Sequence, residues 1–98
     1  LNLAPAAYKL KGKITLPKEV NGTIINYFNE ASEVSERATN RPTEITHIFW
    51  ENGSTLEGVG RYACAYWDKL KYFELPNAGT KVFYRSFYQT RNLFNGIT

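Results

Sequence analysis

Ninety-eight residues, 43% of them hydrophobic and 15% aromatic, suffice for one domain with a modest core and exclude general disorder. A net charge of +3 permits an acidic partner without demanding one. No apolar run approaches the ~18 residues of a membrane span, and the single cysteine excludes an internal disulfide or a cysteine-rich zinc site.

The chain opens Leu1-Asn2-Leu3 and contains no Met, which reads as a processed chain or a piece of a longer one. Residues 1–9 read as an N-terminal linker or cap. In Lys13-Ile14-Thr15-Leu16-Pro17, Ile14 and Leu16 alternate with polar neighbours, which predicts a short strand ended by proline. Tyr27-Phe28 and Val34 complete a first unit over 10–34. Residues 35–47 fit no recurring position and read as an inserted surface loop. Ile48-Phe49-Trp50 predicts a buried strand opening a second unit over 48–70, with Asn52-Gly53 as a turn. The small residues in Tyr62-Ala63-Cys64-Ala65-Tyr66-Trp67 predict a single helical or 3₁₀ turn. A third unit, 71–93, repeats the sequence of features, and 93–98 starts a further one.

The units share a spacing. Val59, Ala63, Cys64 and Leu70 are followed 23 residues later by Val82, Ser86, Phe87 and Leu93. Leu16-Pro17 precedes Phe28 as Leu75-Pro76 precedes Phe87. Self-similarity at this period predicts a β-rich repeat solenoid. Its core columns would be Ile14, Trp50 and Phe73; Phe28, Cys64 and Phe87; and Val34, Leu70 and Leu93, with neighbouring turns about 4.8 Å apart. Phe87→Ala is then expected to cost about 3–5 kcal/mol. Because the last unit breaks off at Ile97-Thr98, the open end is expected to continue in a longer chain or to meet a neighbouring subunit.

Phe73, Leu75, Pro76, Val82, Phe87 and Leu93, with Leu56, Val59, Gly60, Ala63 and Leu70 before them, resemble the BspA-like class of leucine-rich repeat. The first unit departs from that pattern around Thr23-Ile24-Ile25, and the second has Asn52-Gly53 where the pattern has Leu-Pro. The resemblance implies a short right-handed coil of about three turns with irregular or 3₁₀ segments. It also implies an adhesin-like, protein-binding role at the cell surface or outside the cell. A virion component of the phage tail or fibre type, assembling through its open ends, is the alternative.

The sequence offers no catalytic constellation, so the expected function is non-enzymatic, without cofactor or metal. Cys64 falls in a core column with no base placed beside it. His47 stands alone, the acids are scattered, and Gly58-Val59-Gly60 lacks the lysine and further glycine of a phosphate loop. Asn21-Gly22-Thr23 and Asn52-Gly53-Ser54 are turns first, and glycan acceptors only in a glycosylating pathway. The residues falling between column positions are more suggestive. Tyr62, Tyr66, Tyr72, Tyr84 and Tyr88, with Arg61 and Arg85, are of the types enriched in protein interfaces. A protein partner is expected, a glycan is the second option, and a charge of +3 is weak for nucleic acid. The simpler reading is that these tyrosines pack sideways on the surface.

Overall fold

The longest strand among the described residues, Glu44–Trp50, forms where β-branched Ile45, Thr46 and Ile48 and aromatic Phe49 and Trp50 cluster. The computed structural model of the chain describes residues 1–29, 43–93 and 96–97. A 3₁₀ helix at Ala4–Lys9 is followed by β1 (Lys11–Leu16), β2 (Glu19–Val20), β3 (Thr23–Ile24), β4 (Tyr27–Phe28), β5 (Glu44–Trp50), β6 (Gly58–Val59), β7 (Tyr72–Phe73) and β8 (Lys81–Val82). These make two parallel three-stranded sheets, β1-β5-β7 and β4-β6-β8, and an antiparallel hairpin, β2-β3. Among the described residues no helix is long and apolar enough to cross a membrane.

The expected leucine-rich repeat solenoid is not what forms. The structure is a small globule of three open sheets, 30 × 25 × 25 Å, with a radius of gyration of 12.2 Å. That radius is close to the ~13 Å of a compact domain of this length. Two features work against a regular coil. Most of the parallel pairings are two residues long, and the β2-β3 hairpin folds the first unit back on itself. Asn21 (φ 50°) and Gly22 (φ 80°) form its turn, and the positive φ at both central positions is what an Asn-Gly hairpin loop requires.

The expected columns shift accordingly. Ile14 lies opposite Ile48, and Ile48 opposite Phe73, while Trp50 lies opposite Leu16. Phe28 pairs with Val59 and Val59 with Val82, not with Cys64 and Phe87. Val34, with most of the expected insertion, is outside the described residues, and β5 begins inside that insertion, at Glu44. The β1-β5 register slips between Gly12 and Lys13, where Ile45 and His47 are opposed and Thr46 is left over. This bulge resets the alternation, so Ile45, Ile48 and Trp50 all face the core.

Aromatic rings fill the space between the two parallel sheets. Phe28 meets Trp50 and Trp67 edge to face, at 5.7 and 6.2 Å between centroids, and Phe73 at 5.6 Å. Phe73 in turn meets Phe87 at 5.3 Å. These tilted geometries suit the ring quadrupoles. Ala7 of the 3₁₀ helix closes one side of the cluster, and its carbonyl accepts the Thr43 hydroxyl at 2.7 Å.

Short ladders leave many carbonyls without a strand partner, and small polar side chains meet them. Thr80 Oγ1 donates to the Leu56 carbonyl at 2.7 Å, Thr90 Oγ1 to Cys64 at 2.7 Å, and Asn29 Nδ2 to Ala63 at 3.1 Å. The Ser86 hydroxyl lies within 3.0 Å of the Val59, Gly60 and Phe83 carbonyls.

Phe73→Ala should therefore cost about 3–5 kcal/mol in urea unfolding, and Phe87→Ala less, because Phe87 is only partly buried. Ser86→Ala should cost about 0.5–1.5 kcal/mol by the same measurement, since the Val59, Gly60 and Phe83 carbonyls keep their main-chain donors and lose only the hydroxyl's added bond.

Candidate tyrosine and arginine surface

Two segments, Arg61–Trp67 and Tyr84–Thr90, run side by side as chains of tight turns instead of the expected helical turn. Within the first, Ala63, Ala65 and Trp67 donate to Gly60, Tyr62 and Cys64 at 3.1, 3.2 and 3.1 Å. Between the two, Tyr62, Cys64 and Tyr66 donate to the carbonyls of Tyr84, Ser86 and Tyr88 at 3.3, 2.7 and 2.9 Å. Tyr62 (φ 55°), Tyr66 (φ 63°), Arg85 (φ 51°) and Gln89 (φ 56°) are left-handed. Each such non-glycine residue costs roughly 1–2 kcal/mol. The turns keep Ala63, Cys64, Ala65 and Ser86 in the interior and leave Tyr66, Tyr84 and Arg85 at the surface.

The tyrosines touch one another there. Tyr62 lies perpendicular to Tyr84 at 5.9 Å and to Tyr88 at 6.2 Å, and Tyr66 perpendicular to Tyr88 at 5.7 Å. The Arg85 guanidinium stands 4.9 Å from the Tyr84 ring centre and 5.1 Å from that of Tyr88, a cation–π arrangement with both. Arg61 begins the first turn segment and is exposed.

Of the residues singled out from sequence, the structure thus brings together Tyr62, Tyr66, Tyr84, Arg85 and Tyr88. Tyr72 is elsewhere. It sits on the β5-β7 sheet with Phe49 at 5.5 Å and His47 at 6.4 Å, and the His47 and Phe49 rings are stacked at 6.0 Å. Sequence reasoning passed over Phe83 and Tyr27, which form an exposed pair at 6.3 Å over Gly58. A Cβ at Gly58 would lie 2.9 Å from the Tyr27 ring and collide with Phe83, so glycine is what lets the pair close. The Gly58-Val59-Gly60 stretch was the available signal, since a glycine inside a strand marks close approach.

Cys64 is buried, and the described residues hold no group of three or more potential metal ligands. A shallow depression of about 150 Å³ lies apart from the tyrosines, lined by Lys18, Glu19, Ile24, Gly53 and Thr55. Comparisons with protein-family models, curated proteins and solved structures return no match to this chain.

Gln89 is exposed and left-handed without contributing a ring to the cluster. Gln89→Gly should raise the stability measured by thermal unfolding by about 0.5–1 kcal/mol, the relieved strain outweighing glycine's added freedom in the unfolded chain.

Proposed function

We propose that the chain is a non-enzymatic binding module that contacts a protein partner through Tyr62, Tyr66, Tyr84, Arg85 and Tyr88. The observation that carries this reading is their convergence into one ring-on-ring surface, with the Arg85 guanidinium about 5 Å from two of the rings. Tyrosine offers a large apolar face and a polar tip at small entropic cost. Rings already fixed against each other lose little further freedom on binding. Burial of Cys64 gives a substrate no access to the one thiol, which supports a binding role over a catalytic one.

The test compares the wild-type chain with a Tyr84→Ala, Arg85→Ala variant on a displayed library of protein ectodomains and on a glycan array. Tyr84 is 59% exposed, so the variant should unfold at the wild-type midpoint. Protein ligands are expected to lose at least about 30-fold in affinity, as interface hot spots do. Ligands held equally by both chains would place the site elsewhere, and ligands found only on the glycan array would replace protein with carbohydrate.

A further inference from the structure

Among the described residues, the β4-β6-β8 sheet is covered at one edge and open at the other. Along β4, the Asn29 N–H donates to the Leu1 carbonyl at 2.8 Å, and the Leu3 N–H to Asn29 Oδ1. The other parallel sheet is also extended past β7, where the Phe73 N–H donates to Gly96 at 2.8 Å and Ile97 bridges to Phe73. At β8 the N–H groups of Lys81 and Phe83 donate inward, to Glu57 at 2.9 Å and Val59 at 3.0 Å. Alternation along a parallel strand then turns the Val82 N–H and C=O away from β6. No described residue meets them.

The side chains at this edge are half exposed, although the Phe83 ring also meets Tyr27. Val82 continues the row of Phe28 and Val59, both 0% exposed, yet is itself 44% exposed. Phe83 is 41% exposed and leads directly into Tyr84 and Arg85. Natural edges of this kind are usually covered or blunted, because they template pairing with another chain.

Charge selects the occupant. The stretch 71–93 carries Lys71, Lys81, Arg85 and Arg91 against one acid, Glu74, whose carboxylate already accepts the Trp50 N–H at 2.7 Å. The remainder of the chain is balanced, so the whole net charge of +3 resides in this stretch. A second copy would bring the same cations against themselves.

We propose that β8 receives an extended acidic segment of a protein partner as the fourth strand of its sheet. The segment's backbone bonds Val82, its apolar side chains cover Val82 on one face of the sheet, and its carboxylates lie beside Lys81 and Arg85. This inference rests on the reading of the chain as a protein-binding module and adds a main-chain mode of recognition to the adjoining tyrosine surface.

Fluorescence anisotropy tests it with a labelled octapeptide of alternating glutamate and valine. The controls are its lysine–valine counterpart and the same acidic peptide N-methylated at alternate residues. The acidic peptide is expected to bind, and to weaken by about tenfold or more on N-methylation, on Val82→Pro and in raised salt. Lys81→Glu with Arg85→Glu should transfer the preference to the lysine peptide. Proline at 82 removes only an outward N–H; should that variant fail to fold, the N-methylated peptide asks the same question of the wild-type chain. Equal binding of the methylated and unmethylated peptides, or no binding of the acidic peptide at millimolar concentration, overturns the proposal. A dimer in sedimentation equilibrium that Val82→Pro abolishes overturns it in favour of a second copy. Peptide binding that survives Tyr62→Ala with Tyr88→Ala leaves the edge in place and removes the tyrosines from the site. A partner lost with Tyr84 and Arg85 but indifferent to Val82→Pro does the reverse.

Discussion

The fold depends on satisfying backbone carbonyls that its short ladders leave over. A two-residue parallel strand secures only a few main-chain bonds, and the chain between Trp50 and Tyr72 has just one such strand, β6. Side chains from the neighbouring segment finish the work. Asn77 reaches the carbonyls of Ser54 and Leu56, Thr80 that of Leu56, Ser86 those of Val59 and Gly60, Thr90 that of Cys64, and Asn92 that of Asp68. Each bond adds only about 0.5–1.5 kcal/mol net, but a buried carbonyl left unmet costs about 1–3 kcal/mol. The asymmetry makes these small polar residues as decisive for the fold as the aromatic core.

The same bonding explains why core and surface are coupled. Where Ser86 and Thr90 hold the turns of one segment against those of the other, a left-handed residue recurs at every fourth position, and the tyrosines recur at every fourth position with inward side chains between them. A change that loosened Ser86 would let the Tyr62, Tyr84 and Tyr88 rings separate. The surface owes its fixed geometry to hydroxyl groups beneath it, which contact no partner themselves.

Local features were readable from the sequence wherever the chain's own pattern decides them. The alternation at Ile14 and Leu16 lies in β1, Ile48-Phe49-Trp50 in β5, and Asn52-Gly53 in a turn with Gly53 at φ 86°. The nearness of most of the tyrosines follows from their 22-residue offset, one short of the 23-residue repeat, which the Tyr62–Tyr84 and Tyr66–Tyr88 main-chain bonds reflect. The architecture did not follow. A recurring spacing states which residues are equivalent, but it cannot state that stacking continues into a coil. The hairpin at Asn21-Gly22 and the bulge at Thr46 each depend on a partner strand, which periodicity along one strand cannot reveal. Tyr72 falls between column positions like the other tyrosines, but its place at the start of β7 assigns it to the other sheet. Ser86 was read as the counterpart of Ala63, a small residue in a small slot, and its hydroxyl's task shows only once the carbonyls around it are in place.

Cys64, sealed beneath the paired turns with 0% exposure, gives the molecule an internal clock. A thiol reacts only when solvent and reagent reach it, and Cys64, whose N–H is bonded to the Ser86 carbonyl at 2.7 Å, is reached only when its packing opens. The rate at which a thiol reagent marks this one atom would count the openings of the segment pair on which the tyrosine surface is built.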